Sequence, residues 1–478
     1  MDDPDFARAQ MAMSLAFHIV FACAGIAMPL LMVLAERRHQ RALRRAAAGG
    51  PGAEQAAHDA AIDLDLARRW AKGTAILFAV GAVSGTVLSF ELGLLFPEFM
   101  RFAGPVIGMP FSLEGFAFFL EAIGLGLYLY GWNRLSPRVH LPTGVLVLVM
   151  GTLSGLFVVT ANAWMNTPTG FTLGADGQVV DVDPLAAMLN PAAFTQCLHM
   201  TIAAFVAVGA AVAGIHAWRL RKHAGSRFDQ RALGLALWVM GVGAVLMPLS
   251  GDLSAKQVAV NQPVKLAAME GHWYTERCAP LRIGGLPDEA DQMTRFSIDV
   301  PCGLSFLAFG DFDAEVKGLR DYPRELWPPV AATHLAFQVM VASGMALAGT
   351  GVLVAFLAWR RRRAARRAGD PGASAVPSGR KILTLIVLVS PLGFVAVEAG
   401  WVVTEVGRQP WVIHGIMKTV DSVTPMPGLW GPFLAFSILY VVLGVTALTL
   451  LKRHVFFAPP EPTAASGNTP APHAHEVP

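Results

Sequence analysis

Charge is scarce in this sequence. Only 15% of its 478 residues are Asp, Glu, Lys or Arg, against 54% hydrophobic residues, and the mean hydropathy is +0.49. So little charge excludes a soluble globule and points to a chain that crosses a membrane many times. The net charge is a mild +3, which gives no footing for nucleic acid. No basic segment stands before the first apolar run. Asp2, Asp3 and Asp5 precede it, and it is too long for a signal core, so a cleavable signal peptide is excluded. No internal repeat is evident, which argues against an inverted-repeat transporter. Cysteine is nearly missing: of four, Cys23 and Cys197 fall within apolar runs, and Cys278 and Cys302 share one long loop, as a disulfide or as two free thiols.

What is present is a set of nine apolar stretches, at 11–35, 72–96, 111–132, 141–165, 192–218, 232–251, 329–359, 381–405 and 429–451. Each approaches or exceeds the roughly 20 residues that cross a bilayer. The expected fold is an all-α integral membrane protein, a bundle of nine transmembrane helices. Basic residues cluster in alternate loops: Arg37, Arg38, Arg41, Arg44 and Arg45 after the first span, Arg134 and Arg138 after the third, and Arg219, Arg221, Lys222 and Arg227 after the fifth. Arg360 to Arg363, Arg366 and Arg367 follow the seventh, and Lys452 and Arg453 the ninth. The loop at 166–191 has Asp176, Asp181 and Asp183 and no Lys or Arg. The positive-inside rule therefore puts the N-terminus outside and the C-terminus in the cytoplasm. Residues 1–251 form helices one to six, 252–328 one long outer loop, 329–455 helices seven to nine, and 456–478 a disordered tail; the linker 364–379 reads like the tail.

Ionisable side chains inside the spans each cost about 3 kcal/mol or more at the bilayer centre and so need a reason. They are His18, Glu91, Glu114, Glu121, His199, His216, His334, Glu398 and Glu405, of which His216 and His334 lie near helix ends. His199 follows Pro191 by eight residues and Met340 follows Pro329 by eleven. At 1.5 Å per residue these depths are roughly 12 and 16 Å from the same side. A His–Met pair is one way to hold low-spin heme iron, although a lone Met reads equally as core packing. Glu114 and Glu121, seven apart in "SLEGFAFFLEAIG", share one helix face. They read as a proton relay or as protonated acids bonded to a neighbouring helix. Glu405 and Arg408, three apart, read as an internal ion pair, or as a cation ligand beside a guanidinium that neutralises an anionic group.

Five strings taken in order, "RAQMAMSLAFH", "LEGFAFFLE", "LSGLFVVTANAWMNTP", "KLAAMEGHW" and "GRQPW", give the chain a family likeness from residue 8 to about 450. It resembles subunit I of the cytochrome bd-type quinol oxidases. "SFELGLLFPEF" and the comparatively short outer loop are similar to the cyanide-insensitive branch. The resemblance implies a copper-free, electrogenic quinol:oxygen oxidoreductase of the bacterial cytoplasmic (inner) membrane. It implies His199 and Met340 as ligands of a low-spin heme b, and His18 and Glu405 as ligands of two high-spin hemes, one a heme b and the other heme d or a third heme b. It implies Arg8 and Arg408 near heme propionates, and Lys265 and Glu270 in a quinol-binding loop on the periplasmic side. Glu114 and Glu121 would lie near the oxygen-reducing heme and on its proton route, which Ser154 and Asn162 would continue. Gln338 departs from the family, where many members carry Arg. The implied partners are an oxidase subunit II in a heterodimer, often small single-helix accessory subunits, membrane lipid, ubiquinol or menaquinol, and O2.

Quinol oxidised outside with protons drawn from the cytoplasm would move charge without a pump, each charge being worth about 2.3 kcal/mol per 100 mV. A heme–copper oxidase would require several converging His, and this sequence has no adjacent His pair. Two readings from other classes remain beside the oxidase. A heme-free proton-coupled transporter would show no Soret band, and a non-catalytic heme-bearing membrane anchor would bind no oxygen or CO.

Overall fold

The apolar runs become helices longer than the bilayer requires, because the Ala-, Arg- and Glu-rich segments flanking them are good helix formers in water as well. A computed structural model of the chain describes residues 3–175, 177–368, 376 and 379–456. The tail from 457 on, and 369–375 and 377–378 of the linker, lie outside the described residues. The helices in chain order are α1 (Asp3–Ala47), α2 (Ala53–Leu95), α3 (Pro97–Gly131), α4 (Pro137–Asn166), a short α5 (Pro184–Met188), α6 (Ala193–Lys222), α7 (Arg227–Asn261), α8 (Pro263–Glu270), α9 (Gly303–Phe309), α10 (Val330–Arg367), α11 (Arg380–Val389), α12 (Leu392–Glu405) and α13 (Trp430–Leu451). With α11 and α12 joined as one crossing, nine helices among the described residues are long and apolar enough to span a membrane.

Among the boundaries that differ from those read in the sequence, three change the character of a segment. The eighth span breaks at Ser390–Pro391, since proline removes a backbone donor and clashes with the preceding turn. α10 runs on to Arg367, through four residues read as linker, because an Ala/Arg run favours helix once it leaves the lipid. α7 continues to Asn261, and α8 follows after Gln262, so Lys265 and Glu270 stand on a helix rather than in irregular loop. The rest of the outer loop is short antiparallel pairings, Leu281–Ile283 with Ile298–Val300 and Leu286–Asp288 with Met293–Arg295 among them. Cys278 and Cys302, left open by the sequence, are joined as a disulfide.

The main core lies where α1, α6 and α7 meet, around Leu31, Met32, Ala207, Ala210, Leu233, Ala236 and Met240. Small residues let the backbones approach there, as membrane helices need in the absence of a hydrophobic drive between them. A Cβ at Gly393 of α12 would lie 2.6 Å from the Ala207 Cα of α6. Large apolar side chains on the outside of the bundle, such as Ile438, Val441 and Leu448 of α13, stay exposed, as lipid-facing residues do.

At the basic end, Asp63 is wholly buried on α2. It is paired with Arg38 of α1 at 3.5 Å and with Arg231 of α7, whose Nε donates to it at 2.9 Å. Removing one partner of a buried ion pair leaves uncompensated charge, at a cost of about 3–5 kcal/mol. Asp63→Ala is therefore expected to lower the thermal midpoint of the detergent-solubilised complex clearly. Asp59→Ala, on a less buried carboxylate, should lower it less.

Candidate functional site

The half of the bundle away from the arginine-rich helix ends holds four singly placed ligand-type side chains. His199 of α6 meets Ser250 of α7, Nδ1 to Oγ at 3.0 Å, and that hydroxyl gives its own proton to the Met247 carbonyl at 3.0 Å. With the serine proton spent, the hydrogen between them belongs to the imidazole. Nδ1–H donates, and the Nε2 lone pair is left open. His18 of α1 is wired the same way. Its Nδ1 lies 2.9 Å from Ser84 Oγ of α2, and that hydroxyl donates to the carbonyls of Val80 and Gly81 at 3.0 and 3.1 Å. Neither Nε2 has a hydrogen-bond partner among the described residues. Glycines line both rings: a Cβ at Gly85 would sit 3.0 Å from His18 Cε1, and one at Gly251 3.7 Å from His199 Cε1. Met340 of α10 is treated alike, its Sδ 3.1 Å from where a Cβ of Gly400 would stand.

Glu405 ends α12 with both oxygens held. Asn162 of α4 donates to Oε1 and Arg408 donates to Oε2, each at 2.5 Å. The ion pair foreseen as one reading is thus formed, yet it uses only Nη2 of Arg408. Nε and Nη1 of this guanidinium, which is only 4% exposed, have no partner among the described residues. Buried guanidinium donors without acceptors are costly, so an anionic group at this point fits them. Asn162, placed by resemblance on a proton route, donates to the Glu405 carboxylate. Arg8, the other arginine expected near an anion, is exposed near the start of α1.

Residues of the segment 252–328 reach the same region. Lys265 Nζ donates to the Thr404 carbonyl at 3.0 Å and to Asn166 Oδ1 at 3.3 Å. Asn166 in turn donates to the Asn162 carbonyl at 3.0 Å, so the hydrogen-bonded run is Lys265–Asn166–Asn162–Glu405–Arg408. Burial, reinforced by Arg408, pushes the Lys265 ammonium down to about 7, with Glu405 opposing. Burial pushes the Glu270 carboxyl up to about 8, and Arg282 offsets part of this. Gln338 spends its amide on the outer loop, accepting from Gly284 N at 2.9 Å and donating to the Arg282 carbonyl at 3.0 Å.

On α3, Glu114 and Glu121 do share a face. Ser154 of α4 donates to Glu114 at 3.3 Å. The Glu121 carboxyl fills the space beside Gly25 and Gly151, with Oε1 buried and unpartnered. His414, not singled out above, faces Lys265 and Arg408 and has a buried Nδ1 without a partner among the described residues. Burial, then those two charges, push it down to about 4. Its one sequence signal is its place four residues after Pro410 of "GRQPW". Also unassigned was Glu91 of α2, which accepts from Gln10 of α1 at 2.9 Å.

Singly placed ligands, one open imidazole nitrogen each and free guanidinium donors beside a carboxylate suit porphyrin iron with its propionates. Residues 6–458 match the family described as cytochrome bd terminal oxidase subunit I. The chain belongs to that family. A cytochrome bd ubiquinol oxidase subunit 1 of Bacillus subtilis (strain 168) is 30% identical over 471 residues, covering 95% of this chain and 94% of that one. A second B. subtilis relative is 34% identical over 455 residues, covering 94% and 96%. The solved bd oxidase of Geobacillus thermodenitrificans superposes with a TM-score of 0.82 at 35% identity, covering 95% of this chain and 98% of that one. Like its bd oxidase relatives, the chain is a multi-pass protein of the bacterial inner membrane.

Proposed function

We propose that this subunit I carries the hemes of a terminal oxidase that takes electrons from quinol at its outer face and reduces O2 to water with protons from the cytoplasm. At the family level it is a quinol oxidase component working with a subunit II on quinol and O2. The observation that carries the reading is the similar setting of His18 and His199, each with Nδ1 against a serine hydroxyl that donates to a backbone carbonyl and with Cε1 lined by a glycine.

His199 and Met340 would hold a low-spin heme b. His18 and Glu405 would hold the two high-spin hemes, a heme b and either heme d or a third heme b. Bound there, these groups would supply one-electron transfer and a site for O2. Arg408 would turn its two free nitrogens to propionate oxygens. Lys265 and Glu270, both brought close to neutrality, are able to take up and release the protons of a quinol hydroxyl near pH 7. The loop 252–328 would form the periplasmic quinol site, and charge would cross the membrane without pumping. Single-helix accessory subunits would cover part of the exposed apolar surface.

Glu121, Glu114 and Ser154 would carry protons inward to the oxygen site. Glu121→Gln is expected to cut turnover by about a hundredfold, the scale of a lost proton-transfer group, and to abolish potential generation in sealed vesicles. Turnover and potential at the wild-type level would reject the proton side of the reading. Quinol-dependent O2 uptake, with pyridine-heme analysis and a reduced-minus-oxidised spectrum of the purified complex, tests the rest.

A further inference from the structure

Another buried ionisable pair lies at the basic end of the bundle, away from the ligand positions. His140 of α4 is 3% exposed and Glu36 of α1 is 2% exposed. His140 Nε2 lies 2.9 Å from the Tyr128 carbonyl, and Nδ1 lies 3.0 Å from Glu36 Oε1. A carbonyl only accepts, so Nε2 must carry hydrogen. The contact between Nδ1 and Oε1 then needs one further proton, on the imidazole or on the carboxyl. The pair therefore holds a single mobile proton, either as carboxylate with imidazolium or as carboxylic acid with imidazole. This wiring is the opposite of His18 and His199, because both nitrogens are used and none is left for a metal.

Water lies one residue away. Gln40 donates to Glu36 Oε1 at 3.0 Å and to the Pro137 carbonyl at 3.3 Å, at the exposed start of α4. Inward from the pair runs a seam between three helices. His140, Gly144 and Gly151 share one face of α4. A Cβ at Gly144 would strike the Tyr128 ring at 2.7 Å, and one at Gly151 would strike Glu121 Oε1 at 2.9 Å. Tyr128 and Glu121 are seven residues apart on α3, roughly 10 Å along the axis. Along this seam the Tyr128 hydroxyl faces the Glu36 carboxylate, and Glu36 Oε2, Tyr128 Oη and Glu121 Oε1 are all buried without a hydrogen bond of good geometry among the described residues. Buried polar atoms left open in succession are normally satisfied by water.

We propose that Glu36 and His140 form the proton-loading pair of this subunit. The pair passes its one proton past Tyr128 toward Glu121 and regains one from water at the basic face. The inference rests on the reading that Glu121 lies on the proton route. Gln40 of α1 and Tyr128 and Trp132 of α3 face the pair, and the Arg68 guanidinium of α2 lies over the Trp132 ring, 5.4 Å from its centroid.

The test uses the whole complex with subunit II in sealed vesicles, with a pH dye on the basic side. Glu36→Gln is expected to lower O2 turnover about a hundredfold and slow proton uptake from that side equally. The heme spectrum and the anaerobic reduction of the hemes by quinol should match wild type. Glu36→Asp should recover at least half the turnover, which a purely structural contact would not predict. If Glu36→Gln fails to assemble, His140→Gln is read in the same way. Wild-type turnover and uptake in the assembled variant would overturn the proposal, and so would failure of both variants to load heme, since the pair would then be structural. Glu121→Gln measured in parallel separates the two levels. If Glu121→Gln loses turnover while Glu36→Gln keeps it, only the loading pair falls; if Glu121→Gln turns over at the wild-type rate, the route itself falls.

Discussion

His199→Ala is expected to remove the low-spin heme and lower quinol-dependent O2 uptake by about a thousandfold or more, equivalent to at least ~4 kcal/mol of barrier. The reasoning starts from one proton. Ser250 gives its hydroxyl hydrogen to the Met247 carbonyl, so it can only accept from His199, and the imidazole is fixed in the tautomer that presents Nε2. Alanine removes the nitrogen, and no neighbouring group replaces it, since Gly251 lines that wall. Met340 alone is a weak ligand. The high-spin hemes should remain and should still bind CO after dithionite reduction, because His18 and Glu405 stand on other helices. Ser250→Ala should give a smaller loss, about 10–100-fold in heme affinity, the usual scale for a group that orients a ligand. Optical spectra of the purified variants check all three statements. An unchanged low-spin band in His199→Ala would reject the assignment of this histidine.

The spans and the acid-bearing faces were legible in the sequence because lipid imposes a one-dimensional rule. A crossing needs a run of apolar residues, and any charge within it stands out. Glu114 with Glu121, and Glu405 with Arg408, were visible for that reason. The partners that give those side chains their chemistry were not visible, since they come from other helices. Ser84 is 66 residues from His18, and Asn162 is 243 residues from Glu405. No periodicity links such pairs. Glu36 and His140 were hidden differently. Each sits at the edge of an apolar run beside arginines, where a titratable residue looks like ordinary interface, and 104 residues separate them. Strands of two or three residues in the outer loop are too short to show an alternating pattern, so its hairpins went unread.

Glu405→Ala is the second large effect expected. It should cost one high-spin heme and reduce turnover by about a hundredfold or more, roughly 3 kcal/mol. The carboxylate accepts from Asn162 on one oxygen and from Arg408 on the other, each at 2.5 Å, while Lys265 holds the adjacent Thr404 carbonyl. Alanine would leave a buried guanidinium with all its donors unpaired, so some loss of stability is expected whatever else the residue does. Glu405→Gln separates the two roles. Its amide oxygen still accepts from Asn162 and keeps the side chain in place, but the anionic oxygen that could face iron is gone. If Glu405 only neutralises Arg408, Glu405→Gln and Arg408→Gln should both lower the thermal midpoint and leave the heme count and CO-binding fraction at wild type. If Glu405 is a ligand, Glu405→Gln should lose high-spin absorbance, while Arg408→Gln keeps the heme and shifts its potential. The His199 low-spin band is the internal control in each case, because that site shares no hydrogen bond with Glu405.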